Sequence, residues 1–140
     1  MCAVQTDGRS LLVLVFGLLV ALGGCTSSTT PSVPLDQEFT LAPSELVVIK
    51  ETLLGIRFIG VLNDSRCPAD AICIMGGDAQ VRIQVNPNHG APVLYDLHTG
   101  SNKPVVHDGH TITLVRVEPY PFSGRTIKQE DYRVTLRVTR

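Results

Sequence analysis

"QVRIQV" (Gln80–Val85) and "YRVTLRV" (Tyr132–Val138) are the two stretches that decide the fold. In the first, Val81, Ile83 and Val85 alternate with Gln80, Arg82 and Gln84. In the second, Tyr132, Val134, Leu136 and Val138 alternate with Arg133, Thr135 and Arg137. A period of two is the signature of a strand with one buried and one wet face. "LLGIRF" (Leu53–Phe58) repeats it, with Leu54, Ile56 and Phe58 inward and Arg57 outward. "PVLYDLH" (Pro92–His98) sets Val93, Tyr95 and Leu97 against Leu94, Asp96 and His98. "TITLVRVEP" (Thr111–Pro119) changes phase between Leu114 and Val115, so a β-bulge is expected there. Gly60 has the same role between Phe58 and Val61.

The connections fit strands too. Asp108-Gly109 between His107 and His110 predicts a two-residue type I′ hairpin. "NPNHGAP" (Asn86–Pro92) predicts a looser one, and "EPYPFSG" (Glu118–Gly124) must leave the sheet, because proline cannot donate to a ladder. No segment carries a helical stripe. Around seven short strands in roughly 100 residues predict an all-β fold, an immunoglobulin-like antiparallel β-sandwich. A small closed β-barrel is the alternative.

The chain has 140 residues, enough for one domain. Its 12 basic and 13 acidic residues give a net charge of -1, which offers no electrostatic basis for nucleic acid. Aromatic residues are sparse and tryptophan is absent, so base or sugar stacking platforms are not expected.

The first 24 residues read as a signal peptide. The apolar run "LLVLVFGLLVAL" (Leu11–Leu22) has the length of a secretory core and is shorter than a bilayer span. It ends in "LGGC" (Leu22–Cys25), which resembles the bacterial lipobox. The resemblance implies cleavage after Gly24 and a diacylglycerol and palmitate anchor on Cys25. Thr26 after it, where aspartate favours inner-membrane retention, implies the outer membrane facing the periplasm in a Gram-negative envelope. Residues 25–37, rich in Ser, Thr and Pro, are expected to be a flexible tether holding a domain of residues 38–140 off the headgroups. Cys67 and Cys73 then remain in a compartment where disulfides persist.

"DSRCPADAIC" (Asp64–Cys73), "GGDAQV" (Gly76–Val81), and far downstream "PYP" (Pro119–Pro121) and "DYRVTLRV" (Asp131–Val138) resemble a family of small bacterial lipoproteins with no assigned activity. Asp64 to Pro68, Cys73 and Gly77 match the family pattern; Met75-Gly76 stand where Trp-Ala would be expected. The resemblance implies the fold and a disulfide, not a function.

Cys67 and Cys73 enclose five residues, a loop that a disulfide can close. The spacing suits neither a four-ligand zinc site nor a C-x-x-C redox pair. Asp64, Asp70 and Asp78 surround the cysteines without the order of an EF-hand, leaving a cation loop as the minor alternative. Asn63, Asp64 and Ser65 suit side-chain-closed turns, and Arg66 is placed to pair with an aspartate. Gly76-Gly77 is expected to supply positive φ angles before the next strand. His107 and His110 face one another across the hairpin, as a solvated tip or as two ligands for Zn²⁺ or Cu²⁺, with His98 or His89 as a conceivable third. Arg57, Arg82, Arg133 and Arg137 are ordinary polar-face residues or a basic stripe for an anionic glycan. No G-x-S-x-G elbow accompanies Ser65, and no catalytic residue or cofactor is expected. The reading is a membrane-tethered, non-enzymatic envelope lipoprotein that binds an envelope protein or glycan. A structural accessory without ligand, or a metal protein using His107 and His110, is the alternative.

Overall fold

The computed structural model describes residues 29–140; the expected signal peptide and Cys25 lie outside the described residues. The alternating stretches all form strands. In chain order these are β1 Ser32–Val33, β2 Glu38–Leu41, β3 Leu46–Ile49, β4 Leu54–Asp64, β5 Ala79–Asn86, β6 Val93–His98, β7 Val105–His107, β8 His110–Glu118 and β9 Arg133–Thr139. A single 3₁₀ turn, Gln129–Asp131, is the only helical element among the described residues.

One sheet has the order β1-β3-β4-β5-β6 and the other β2-β9-β8-β7. Their inner faces share one core, with Ile56, Phe58, Val81, Ile83 and Leu97 from the first sheet against Ile112, Val134 and Leu136 from the second. This is the expected all-β sandwich, with nine strands rather than about seven. Both sheets are open, so the barrel alternative does not form. The likeness to immunoglobulin domains is one of architecture. Here β3 to β6 form one uninterrupted meander and β7 to β9 another, whereas immunoglobulin strands switch sheets more often.

The irregular positions fall where the sequence breaks phase. The β8–β9 register shifts between Leu114 and Arg116, leaving Val115 as the extra, half-buried residue while Ile112, Leu114 and Val117 reach the core. β4 carries two shifts against β5, at Phe58/Gly60 and Val61/Asn63. Beyond Phe58 the far edge of β4 is no longer covered by β3. The Gln129 side-chain amide fills that edge, accepting from the Val61 N–H and donating to its carbonyl as a neighbouring strand would. Thr135, expected on the wet face, is buried and shares a hydroxyl hydrogen bond with Thr40 (2.9 Å) on the paired strand.

Residues 31–37, expected to belong to the flexible tether, are bonded to the sheets. From Pro31 the chain joins the sheet: the Pro31 carbonyl accepts from Val48 N–H, and Val33 accepts from Lys50. The Leu35 N–H donates to Glu51, and Asp36 N–H to the Val138 carbonyl. Proline at position 31 suits this edge, since only its carbonyl is used. β1 runs parallel to β3, so the chain before it departs toward the same end of the sheet as the C-terminus of β4. That end carries four connections: the 42–45 turn, the 65–78 loop, the 99–104 turn and the 119–132 loop. The β3–β4 turn, the β5–β6 connection and the β7–β8 hairpin lie at the opposite end.

Candidate functional site

The 65–78 and 119–132 loops converge on Arg66. Its side chain is buried, although it carries a charge. Nε and Nη2 grip the two oxygens of Asp64 (2.8 and 2.6 Å). Nη1 donates to the Val117 carbonyl (2.6 Å) and Nη2 also to that of Pro119 (3.0 Å). The guanidinium carbon stands 5.1 Å from the ring centre of Tyr120, a cation–π distance. The Tyr132 hydroxyl donates to Asp64 Oδ2 (3.0 Å). A charge withdrawn this far from solvent needs several partners to offset its lost hydration. Burial by itself would raise the Asp64 carboxyl, but hydrogen bonds and charge from Arg66, with the Tyr132 hydroxyl, outweigh it and hold it below its ordinary value. The same burial and the Asp64 charge push the Tyr132 phenol up to about 12.

The expected aspartates do not converge. Asp64 belongs to Arg66. Asp70 accepts from the Ser123 N–H (2.8 Å), and Ala69 N–H donates to Pro121, so the disulfide loop is laced to the 119–132 loop. Asp78 serves the 99–104 turn, accepting from Thr99 Oγ1 (3.1 Å) and Gly100 N–H (2.7 Å), and contacts His98 Nδ1. Burial pushes Asp78 up, and the His98, Gly100 and Thr99 hydrogen bonds prevail and lower it. Ser65 is a turn residue: its hydroxyl donates to the Asp78 carbonyl and accepts from the Asp78 N–H. Of the two glycines, Gly77 has the positive φ (41°), and a Cβ there would collide with the Ser65 carbonyl. Among the described residues, no group of three or more His, Cys, Asp or Glu is placed to hold a metal ion.

Cys67 and Cys73 are bonded, with Cα atoms 5.9 Å apart. Above this fixed base the loop presents apolar side chains to solvent. Ile72 and Ile74 are 104 % exposed and Met75 82 %, as bare as in an unfolded chain. Tyr120 and Phe122 of the adjoining loop are about half exposed. Shallow clefts separate these features. One of about 590 Å³ is lined by Arg116 to Tyr120 with Asp131 and Arg133. Another of about 330 Å³ runs between Gly76-Gly77, Thr99-Gly100 and Tyr120.

The His107/His110 pair is placed differently from a solvated tip. The turn has the expected form, with positive φ at Asp108 (47°) and Gly109 (75°) and His107 opposite His110. The two histidines share a face with Ile112, however, so they point between the sheets. His107 Nδ1 meets the Tyr95 hydroxyl of the facing sheet (3.0 Å), and their rings pack edge-on. His107 Nε2 and His110 Nδ1 are buried without a hydrogen-bond partner. His98 is instead held by Asp78 at the other end of the molecule.

The four arginines do not form one stripe. Arg57 and Arg82 lie on the outer face of one sheet, Arg133 and Arg137 on that of the other. Arg82 makes a two-pronged pair with Asp96 (2.7 and 2.8 Å), and Arg137 reaches Glu38 (3.3 Å). Arg57 keeps a buried Nε with no partner. Sequence reasoning misses the apolar tip itself, for which the signal is three large apolar residues, Ile72, Ile74 and Met75, in a turn-rich loop. No family model, no curated protein and no solved structure matches this chain.

Proposed function

We propose that this is a cell-envelope lipoprotein, anchored through Cys25 and working without catalysis as an interaction module. Its contact surface is the disulfide end of the sandwich. The observation that carries the reading is the full exposure of Ile72, Ile74 and Met75 on a loop that is otherwise tied down. A large apolar cluster left in water by a well-packed protein marks a place where something else binds. The loop is also stiff, held by the disulfide, by Arg66 and by the Asp70–Ser123 bond, so little ordering entropy opposes contact. The lipobox resemblance at Leu22–Cys25 supports the anchor.

Photo-cross-linking in the native envelope tests the surface. A diazirine amino acid at Ile74 should yield discrete adducts, and one at His89, at the opposite end, should not. Equal labelling at the two positions would remove the basis for the assignment. The anchor is tested separately: Cys25→Ser should abolish palmitate incorporation and leave the heavier precursor, and labelling that survives would sink it.

A further inference from the structure

We propose that the partner of this surface is the bilayer itself: the disulfide loop seats Ile72, Ile74 and Met75 in the interfacial layer of the membrane that anchors the chain. The inference rests on the lipid at Cys25 proposed above. Direction and reach then supply the argument.

β1 is parallel to β3 and β4 is antiparallel to it, so the chain N-terminal to β1 heads for the end where β4 delivers the disulfide loop. The Pro31 carbonyl is fixed to Val48. The six residues from Pro31 back to Cys25 span at most about 20–22 Å. Along the neighbouring ladder, Ile56 pairs with Val85 and Asp64 with Ala79. Those six steps of β5 cover about 20 Å. An extended leader therefore brings Cys25 about level with Asp64, where the disulfide loop begins, and no farther. A lipid on Cys25 holds this end of the sandwich at the headgroups.

The loop's chemistry suits that position. From Ala71 to Gly77 no residue carries a charge. The carboxylates that flank this stretch both have partners, Asp70 at the surface in the Ser123 N–H and Asp78 in His98, Thr99 and Gly100. Tyr120 and Phe122 stand beside the tip, half exposed, and aromatic rings of this kind favour the headgroup level. Irregular backbone does not enter the hydrocarbon core, so the insertion is shallow, limited to side chains.

The chain contains no tryptophan, so a single one at the tip is an unambiguous probe. The Ile74→Trp chain from Cys25 onward is coupled through the Cys25 thiol to a maleimide phospholipid. It is studied in protein-free vesicles of phosphatidylethanolamine and phosphatidylglycerol with brominated acyl chains. The emission should shift to the blue and be quenched several-fold more than that of a His89→Trp control. Equal quenching at the two positions, or none, overturns the proposal and leaves a protein as the surface's partner. The N-terminal fragment mass of the native protein decides the lipid independently, so failure of the anchor and failure of the loop are read apart.

Discussion

Without the Arg66 guanidinium, the Asp64 carboxylate would keep only the Tyr132 hydroxyl and the backbone N–H of residue 66, and the Val117 and Pro119 carbonyls would lose their donor. Breaking one member of such a pair costs about 3–5 kcal/mol. Arg66→Ala should therefore remove a large share of a total that is ~5–15 kcal/mol for a domain of this size. Urea unfolding measures it, and Arg66→Lys should rescue little, because an ammonium cannot reproduce the fork. The pH dependence has a definite sign. Asp64 is held below its ordinary value, so its contribution is complete above an unfolded carboxylate pKa of ~4 and disappears as pH falls through the lower native value. Asp78 and Asp96 are shifted the same way. Thermal melts should thus decline below about pH 4, with a shallower decline in Asp64→Asn. The Arg66–Asp64 pairing was legible because the residues are two apart. Val117, Pro119 and Tyr132 were not, since nothing local links residue 66 to a carbonyl 51 positions away.

At the level of single elements, strict alternation was enough for β5 and β9, where burial follows the two-residue period almost without exception. The β8 bulge was legible for the same reason: a phase error in a strand has few other solutions. The hairpin at Asp108-Gly109 was legible in its backbone and misread in its surroundings. Turn chemistry fixes φ and register but does not say which sheet face the flanking residues take. The Tyr95–His107 contact joins the two sheets, so Tyr95→Phe should cost about 0.5–1.5 kcal/mol, read by urea unfolding. An unchanged midpoint would return the histidines to the role of bystanders. The disulfide loop closes only a short segment. Chain entropy assigns such a bond about 2 kcal/mol as an upper figure. The Asp70–Ser123 and Ala69–Pro121 bonds already restrain the same loop from outside. Cys67→Ser/Cys73→Ser should lower the melting temperature without unfolding the domain, and a collapse of the fold would show that the external bonds depend on the staple.

For the molecule as a whole, the two ends of the sandwich differ in what they expose. The disulfide end gathers Ile72, Ile74, Met75, Tyr120 and Phe122, and β1 turns its N-terminus toward it. The sequence did not say which end of the sandwich bears Ile72, Ile74 and Met75, nor that β1 turns its N-terminus to that end, because that depends on β1 pairing parallel rather than antiparallel, a choice two residues cannot encode. The parallel pairing also decides how the protein bears a load. A pull on the N-terminal side acts along β1, so its few bonds to β3 are strained in shear and must fail together rather than unzip one by one. Once they fail, the next holds are the Leu35–Glu51 and Asp36–Val138 bonds, and residues 31–34 are freed. That release adds about 14 Å of contour while the core strands stay paired. Force spectroscopy with handles at Cys25 and the C-terminus should record this as a small early extension, well before the main rupture, which would make β1 an overload link between lipid and domain.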